Sequence, residues 1–448
     1  MWLPSVFGPM SRRHFVRHMA GFSLMAAPSF QFVRTLAAQA PKMKRDHKSL
    51  IILWMGGGPS HMDLWDMKPG ETTGGEFKPM KTAASGVEIC EHLPTIASQM
   101  KHLSIVRSLS SGEADHQRGR QLMHTAYTPN PALQFPSIGA VTAQQLTPKE
   151  LALPGFITVG GTSEGPGFLG MAYAPFTVQS AGAPPQNINP PAELGTGAEQ
   201  ELRQDSRFRL LGVTEDAFRK DHGDAAKAHM DTYKKAYDLT ASKLKAVFDL
   251  NYEVDGKPMN PAVKSLYGED GFSKGCLLAR KLVETGVPCV EVDLGGWDNH
   301  AQVFTALHGG RGNMMNRTGG GGLADRLDKG MGALVKDLVE RGLWKDTVVV
   351  WMGEFGRTPR INQNGGRDHW ARCWSVVVGG GNIKGGQVYG STTKDGMDVK
   401  DDKCSVSDLF ATIYQGLGIS PDTEIRDPLG RPRKISGDKG GTALKGLV

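Results

Sequence analysis

Four short stretches pair carboxylates with imidazoles, each just after an apolar run: Ser60, His61 and Asp63; Asp115 and His116; Asp298 and His300; and Glu354, Asp368 and His369. Carboxylate oxygen and imidazole nitrogen together suit Zn²⁺ or Mn²⁺, whereas acids alone would favour Ca²⁺ or Mg²⁺. No cysteine stands among them, which argues against a structural zinc. Read singly, each stretch has a plain explanation: Asp298 could cap the next helix, and Asp368 with His369 could be a surface pair. Recurrence after several strands is what points to a divalent metal. Ser60 follows Gly56-Gly57-Gly58-Pro59 and is either a turn residue or a nucleophile whose hydroxyl a metal would acidify. Arg357 is planar and permanently charged, suited to a pair of phosphate or sulfate oxygens or to tying Glu354 in place.

The elements that must carry these residues alternate between strand and helix. The run Ser49 to Met55 is continuously apolar and reads as a central parallel strand. Further strands are expected at 103–106, 156–159, 288–294, 347–350 and 375–378. Helices are expected at 92–100, from Asp115, at 136–146, 273–285, 323–341 and 406–417. Leu323, Leu327, Met331, Leu334 and Leu338 give the fifth of these the cleanest apolar stripe. The fold class that follows is α/β, a mostly parallel sheet sandwiched by helices, with ligand residues on loops beyond the strands' carboxyl ends. Residues 160–191 are rich in Gly, Pro and Ala and read as a long loop, and about 165–265 as an inserted helical cap.

Ser11-Arg12-Arg13-His14-Phe15-Val16, an uncharged stretch from Met19 to Phe30 and Ala38-Gln39-Ala40 together make a twin-arginine export signal at 1–40. That leaves 41–448 as a single domain in the periplasm or outside the cell. The signal holds four arginines and no acid, so without it the formal charge falls from +6 to +2. No dense basic stripe with interleaved aromatics remains to hold nucleic acid, and no further segment is apolar enough to span a bilayer. Five cysteines without CxxC spacing indicate neither a zinc ribbon nor a disulfide framework.

WMGGGPSHMDLWDMKP, FPSIGAVTAQQL, GPGFLGMAYAPF, GGWDNH, GEFGRTP and GRDHW, in this order, resemble the exported bacterial proteins of the domain of unknown function 1501 family. That family is similar to a branch of the alkaline phosphatase and sulfatase superfamily. The resemblance implies an α/β sandwich and matches Asp298, His300, Glu354, Asp368 and His369 to metal-binding positions. The superfamily's aspartate directly after the first strand is replaced by Gly56 and Gly57, leaving His61 and Asp63 as the acid and imidazole available there. The helix start at Asp115-His116 falls where a sulfatase carries its nucleophile, which makes His116 a candidate catalytic residue, but the C-x-P-S-R pattern is absent. The implied activity is metal-dependent hydrolysis of phosphate or sulfate esters, with a sulfated or phosphorylated glycan as possible substrate. The alternative is a non-catalytic relative that binds anionic polysaccharide or a partner at the cell envelope.

Overall fold

Every residue of the first strand, β1 (Ser49–Trp54), is buried, and its side chains alternate between two cores. Ile51 and Leu53 enter one, while Leu50, Ile52 and Trp54 enter the other, as expected of a strand covered on both faces. The computed structural model describes residues 47–161, 163–183, 185, 188–222, 234, 237, 239–240, 243–309 and 321–448. The export signal expected at 1–40 lies outside them. Lys48–Val448 form one compact unit.

After β1 come one helical turn, α1 (His61–Leu64), and a hairpin of β2 (Pro79–Lys81) and β3 (Glu88–Cys90). Pro94 opens α2 (Pro94–Gln99), where its missing N–H costs nothing, and β4 (Leu103–Leu109) follows. Asp115 caps α3 (His116–Thr125) by accepting from the Arg118 amide, and Ser137 caps α4 (Ile138–Leu146) from Ala140. Strands β5 (Phe156–Val159) and β6 (Phe176–Val178) precede helices α5 (Gly197–His222), α6 (Pro261–Tyr267) and α7 (Gly271–Glu284). Next are β7 (Cys289–Asp293), α8 (Val303–His308), α9 (Leu323–Glu340) and β8 (Thr347–Met352). A ribbon of β9 (Gly356–Arg357) and β10 (His369–Trp370) leads to β11 (Trp374–Gly380), β12 (Val388–Tyr389) and α10 (Val406–Gly416).

Eight strands form one sheet in the order β12-β4-β11-β8-β1-β7-β5-β6. All pairings are parallel except those of β11, which runs antiparallel to both β4 and β8. β11 starts four residues after β10, too few for a crossover helix, so it has to run back. Helices α2, α7 and α9 cover one face through Ile96, Leu277, Leu282 and Leu334; α4 and α10 cover the other through Val141, Leu409, Phe410 and Ile413. The five stripe residues of α9 are all buried. Truncating a leucine of such a stripe to alanine costs about 2–5 kcal/mol.

The stretch expected to be a loop at 160–191 instead gives the sheet its last strand: β6 pairs in parallel with β5. Three residues at a sheet edge carry no period that a sequence can reveal. The five cysteines are buried and free. Among the described residues no helix is long and apolar enough to cross a membrane.

Candidate metal centre

The three central strands β8, β1 and β7 are parallel neighbours, so their carboxyl ends release three loops side by side. Backbone bonds keep these loops together as they leave the sheet: Met55 N donates to Met352 O, Leu294 N to Trp54 O, and Gly296 N and Trp297 N to Gly56 O. Gly57 has φ +113°, and a Cβ there would lie 2.5 Å from the Asp298 amide nitrogen. Only glycine lets the first loop approach Asp298 this closely. β4 points the same way, so α3 begins beside the same loops.

Asp298 Oδ1 is the point of convergence. His300 Nε2 lies 2.9 Å from it, His369 Nε2 3.2 Å, His116 Nε2 3.3 Å and Arg357 Nη2 2.5 Å. Desolvation opposes ionisation here, but Arg357 and the imidazoles outweigh it and hold the Asp298 carboxyl at about 2. Each imidazole is fixed by its other nitrogen. His116 Nδ1 is 2.7 Å from Glu354 Oε1, His300 Nδ1 2.8 Å from Asp368 Oδ1, and His369 Nδ1 2.8 Å from the Ala114 carbonyl oxygen. The hydrogen bond to Glu354 raises the His116 pKa, and that to His300 lowers the Asp368 pKa. His300 Nε2 and His369 Nε2 stand 3.2 Å apart, with ring centroids 4.9 Å apart.

The sequence-predicted residues divide by position. His116, Asp298 and His369 offer ligand atoms all within 4.8 Å of one another. His300 joins Asp298 to Asp368, while Glu354 sits behind His116, 4% exposed, accepting also from Gly57 N at 2.8 Å. Glu354 Oε2 has no hydrogen-bond partner. His61 and Asp63 turn into the interior. Both Asp63 oxygens are taken by Arg367, at 2.7 and 2.8 Å, and this guanidinium also donates to the Thr358, Pro359 and Thr73 carbonyls. His61 is buried with Nε2 3.5 Å from Gly396 O, and burial pushes its pKa down to about 4. These two were expected at the metal; the structure pairs Asp63 with the buried Arg367 and packs His61 in the interior. Arg357 is 1% exposed and donates to the Gly57, Gly58 and Arg367 carbonyls and to Asp298. It buckles the first loop to Asp298 with four of its five N–H groups, and the last, on Nη1, lies 3.4 Å from His300 Nε2. Ser60 is 3% exposed, and its Oγ has no partner and does not cap α1.

Two supports escaped the sequence reading. The buried Phe355 ring lies under His116 and His369, at 5.0 and 4.6 Å between centroids, and gives the cluster an apolar floor. The Ala114 carbonyl is the second; a backbone acceptor leaves no trace in sequence, whereas an aromatic between Glu354 and Arg357 does.

Comparison with solved structures finds the PsFucS1 sulfatase from Pseudoalteromonas sp., at 12% identity over 86% of this chain and 71% of that one, with a TM-score of 0.35. The phosphonate monoester hydrolase of Agrobacterium radiobacter is 12% identical over 90% of this chain and 78% of that one, with a TM-score of 0.37. TAB5 alkaline phosphatase, a mutant with Mg bound, is 10% identical over 84% of this chain and 100% of that one, with a TM-score of 0.34. No curated protein matches the sequence. Residues 47–448 match one family across nearly the whole described unit, and the chain belongs to that family, "Protein of unknown function (DUF1501)".

Proposed function

We propose that this chain is an exported, metal-dependent hydrolase of phosphate or sulfate esters. The observation that carries the reading is the convergence of three imidazole nitrogens and a guanidinium on one oxygen of Asp298, drawn from segments that lie far apart in sequence. A divalent cation at this point would polarise an ester oxygen and lower the pKa of a bound water. The chain's own residues do the rest. Arg357 holds the Gly57 and Gly58 carbonyls against Asp298, Phe355 keeps water from beneath, and Glu354 and Asp368 set the His116 and His300 rings. With Arg357 committed to the loop, charge on the transferring group would be met by the cation. Export would follow from the signal around Arg12 and Arg13, and the sulfated or phosphorylated glycans of the envelope are the first substrates to screen.

The test is elemental analysis of protein exported by its native host, paired with cleavage of p-nitrophenyl phosphate, p-nitrophenyl sulfate and sulfated oligosaccharides before and after chelation. Cleavage that follows a bound divalent cation is expected. A metal-free protein, or cleavage untouched by Asp298→Ala, overturns the reading. One observation favours the non-catalytic alternative: the Ser60 hydroxyl is nearly inaccessible. Binding of a sulfated glycan with no sulfate or phosphate released would select it.

A further inference from the structure

We infer that α5 is a contact between two copies of this chain, laid antiparallel across its solvent-facing side. The inference is independent of the metal-dependent reading above.

Leu202, Ser206, Leu210 and Val213 stand at i, i+4, i+8 and i+11 and share one side of α5. Leu202, Leu210 and Val213 are 69%, 66% and 69% exposed. Among the described residues, Met171 and Leu429 are the other large apolar side chains exposed to a similar degree, and they stand singly. Single exposed leucines are ordinary, whereas three aliphatic side chains on one helix face make a patch. The other side of α5 is already engaged by its own chain. Gln204 Nε2 donates to Thr240 Oγ1 at 2.6 Å, and Phe208 stacks on Tyr237 with ring centroids 4.6 Å apart.

The exposed face fits itself. With a two-fold axis between Arg207 and Phe208, an antiparallel copy sets Leu202 against the partner's Val213, Ser206 against the partner's Leu210, and Asp205 against the partner's Arg209. Each contact occurs twice, and all three keep a common register. Leu202 and Val213 run down the middle, with Ser206 and Leu210 on one flank and Asp205 and Arg209 on the other. The Ser206 hydroxyl already donates to the Leu202 carbonyl at 2.8 Å, so it offers the leucine a small and satisfied place to enter. Asp205 holds Arg209 of its own helix at 3.2 Å, and the pairing joins two such ion pairs into a ring of alternating charge. An anionic lipid surface suits this helix less well, because from Gly197 to Glu215 four acids outnumber three bases. The stripe spans about three turns and makes a contact smaller than the roughly 1,200 Å² of a standard interface, so the dimer exchanges with monomer.

The experiment is sedimentation velocity of the full chain from about 1 to 100 µM, where the weight-average mass is expected to climb from one chain toward two. Leu202→Glu and Leu210→Glu each raise the dissociation constant at least about tenfold. Both positions are exposed, and circular dichroism confirms that the variants fold. Cysteine pairs read the register, since the five native cysteines are buried. On oxidation, Leu202→Cys links to Val213→Cys when the two variants are mixed. Leu202→Cys links poorly to itself, because the antiparallel pairing holds those two positions about 16 Å apart along the helices. A monomer at the highest concentration, a dimer indifferent to both glutamates, or Leu202→Cys that links to itself as readily as to Val213→Cys overturns the assignment. So does a monomer that floats with phosphatidylglycerol vesicles, which would give the face to lipid.

Discussion

The sheet carries a charged cluster at each end, and the two are built on opposite principles. At the amino ends of the strands, Arg280 reaches Glu253 at 2.9 Å, Glu284 at 2.8 Å and Asp337 at 2.9 Å, while Arg341 reaches Asp337 at 2.6 Å and Glu253 at 2.9 Å. Tyr267 donates to Asp337 as well. Opposite charges alternate there, and the network ties residues 253–267 to α7 and α9. At the carboxyl ends, three imidazole nitrogens meet at one exposed carboxylate, two of them only 3.2 Å apart, and the His116 Nε2 and Glu354 Oε2 atoms lack partners. The first alternates opposite charges and serves the fold. The second gathers three imidazoles and a guanidinium on one exposed carboxylate, which is the pattern of a functional cluster.

Breaking the carboxyl-end cluster should therefore cost activity, and breaking the other should cost stability. Asp298→Ala is expected to lower ester cleavage by about 10³-fold, the scale of the several kcal/mol a catalytic metal supplies, and to leave thermal unfolding of the metal-free protein nearly unchanged. Cleavage reduced less than tenfold would say that Asp298 is ordinary surface charge. Arg280→Ala removes a buried guanidinium from Asp337, Glu253 and Glu284, leaving them Arg341 alone, and should destabilise the fold by about 3 kcal/mol, read as a large drop in Tm, with metal affinity of the folded fraction unaltered. A drop in metal affinity with no loss of Tm would erase the distinction between the two ends.

Asp63→Asn belongs to neither end alone and sharpens the comparison. Its carboxylate pairs with Arg367, buried, across 304 residues of sequence, and Arg367 precedes Asp368 and His369. Losing half of a buried pair should cost about 3 kcal/mol of stability. Because the return loop then loosens, metal affinity should fall too, by about tenfold. A calorimetric scan and a zinc titration on one preparation separate the outcomes: both must move, and an unchanged titration would show that the pair serves the fold only.

Much of this was legible in the chain, for a physical reason. Strands buried on both faces must be apolar throughout, so β1, β7 and β8 announced themselves, and with them the strand ends where the ligand types recur. Which of those residues the fold gathers on Asp298 was not legible. His116 and Glu354 are 238 residues apart, and a single hydrogen bond between them decides which imidazole nitrogen is free. Asp63 read as a ligand because its partner Arg367 could not be placed beside it. The direction of β11 and the edge strand β6 stayed hidden too, since one depends on a chain return and the other spans three residues.

The smallest expected effect concerns pH at the paired end. Lys281 on α7 is buried and donates to the Asp249 carbonyl at 2.5 Å, and burial pushes its ammonium down to about 8. Its unfolded value is about 10.4. Between these two values the unfolded chain binds a proton that the folded chain has released, so this group makes stability rise with pH across that window; below pH 8 both states are charged and the dependence ends. Lys281→Met removes it. The difference in Tm between wild type and Lys281→Met, followed from pH 7.5 to 10.5, should therefore shift in favour of wild type as pH increases, by a few degrees. A difference that stays flat across the window would mean that the ammonium keeps its charge in the fold. The paired end would then hold one more compensated cation than its hydrogen bonds reveal.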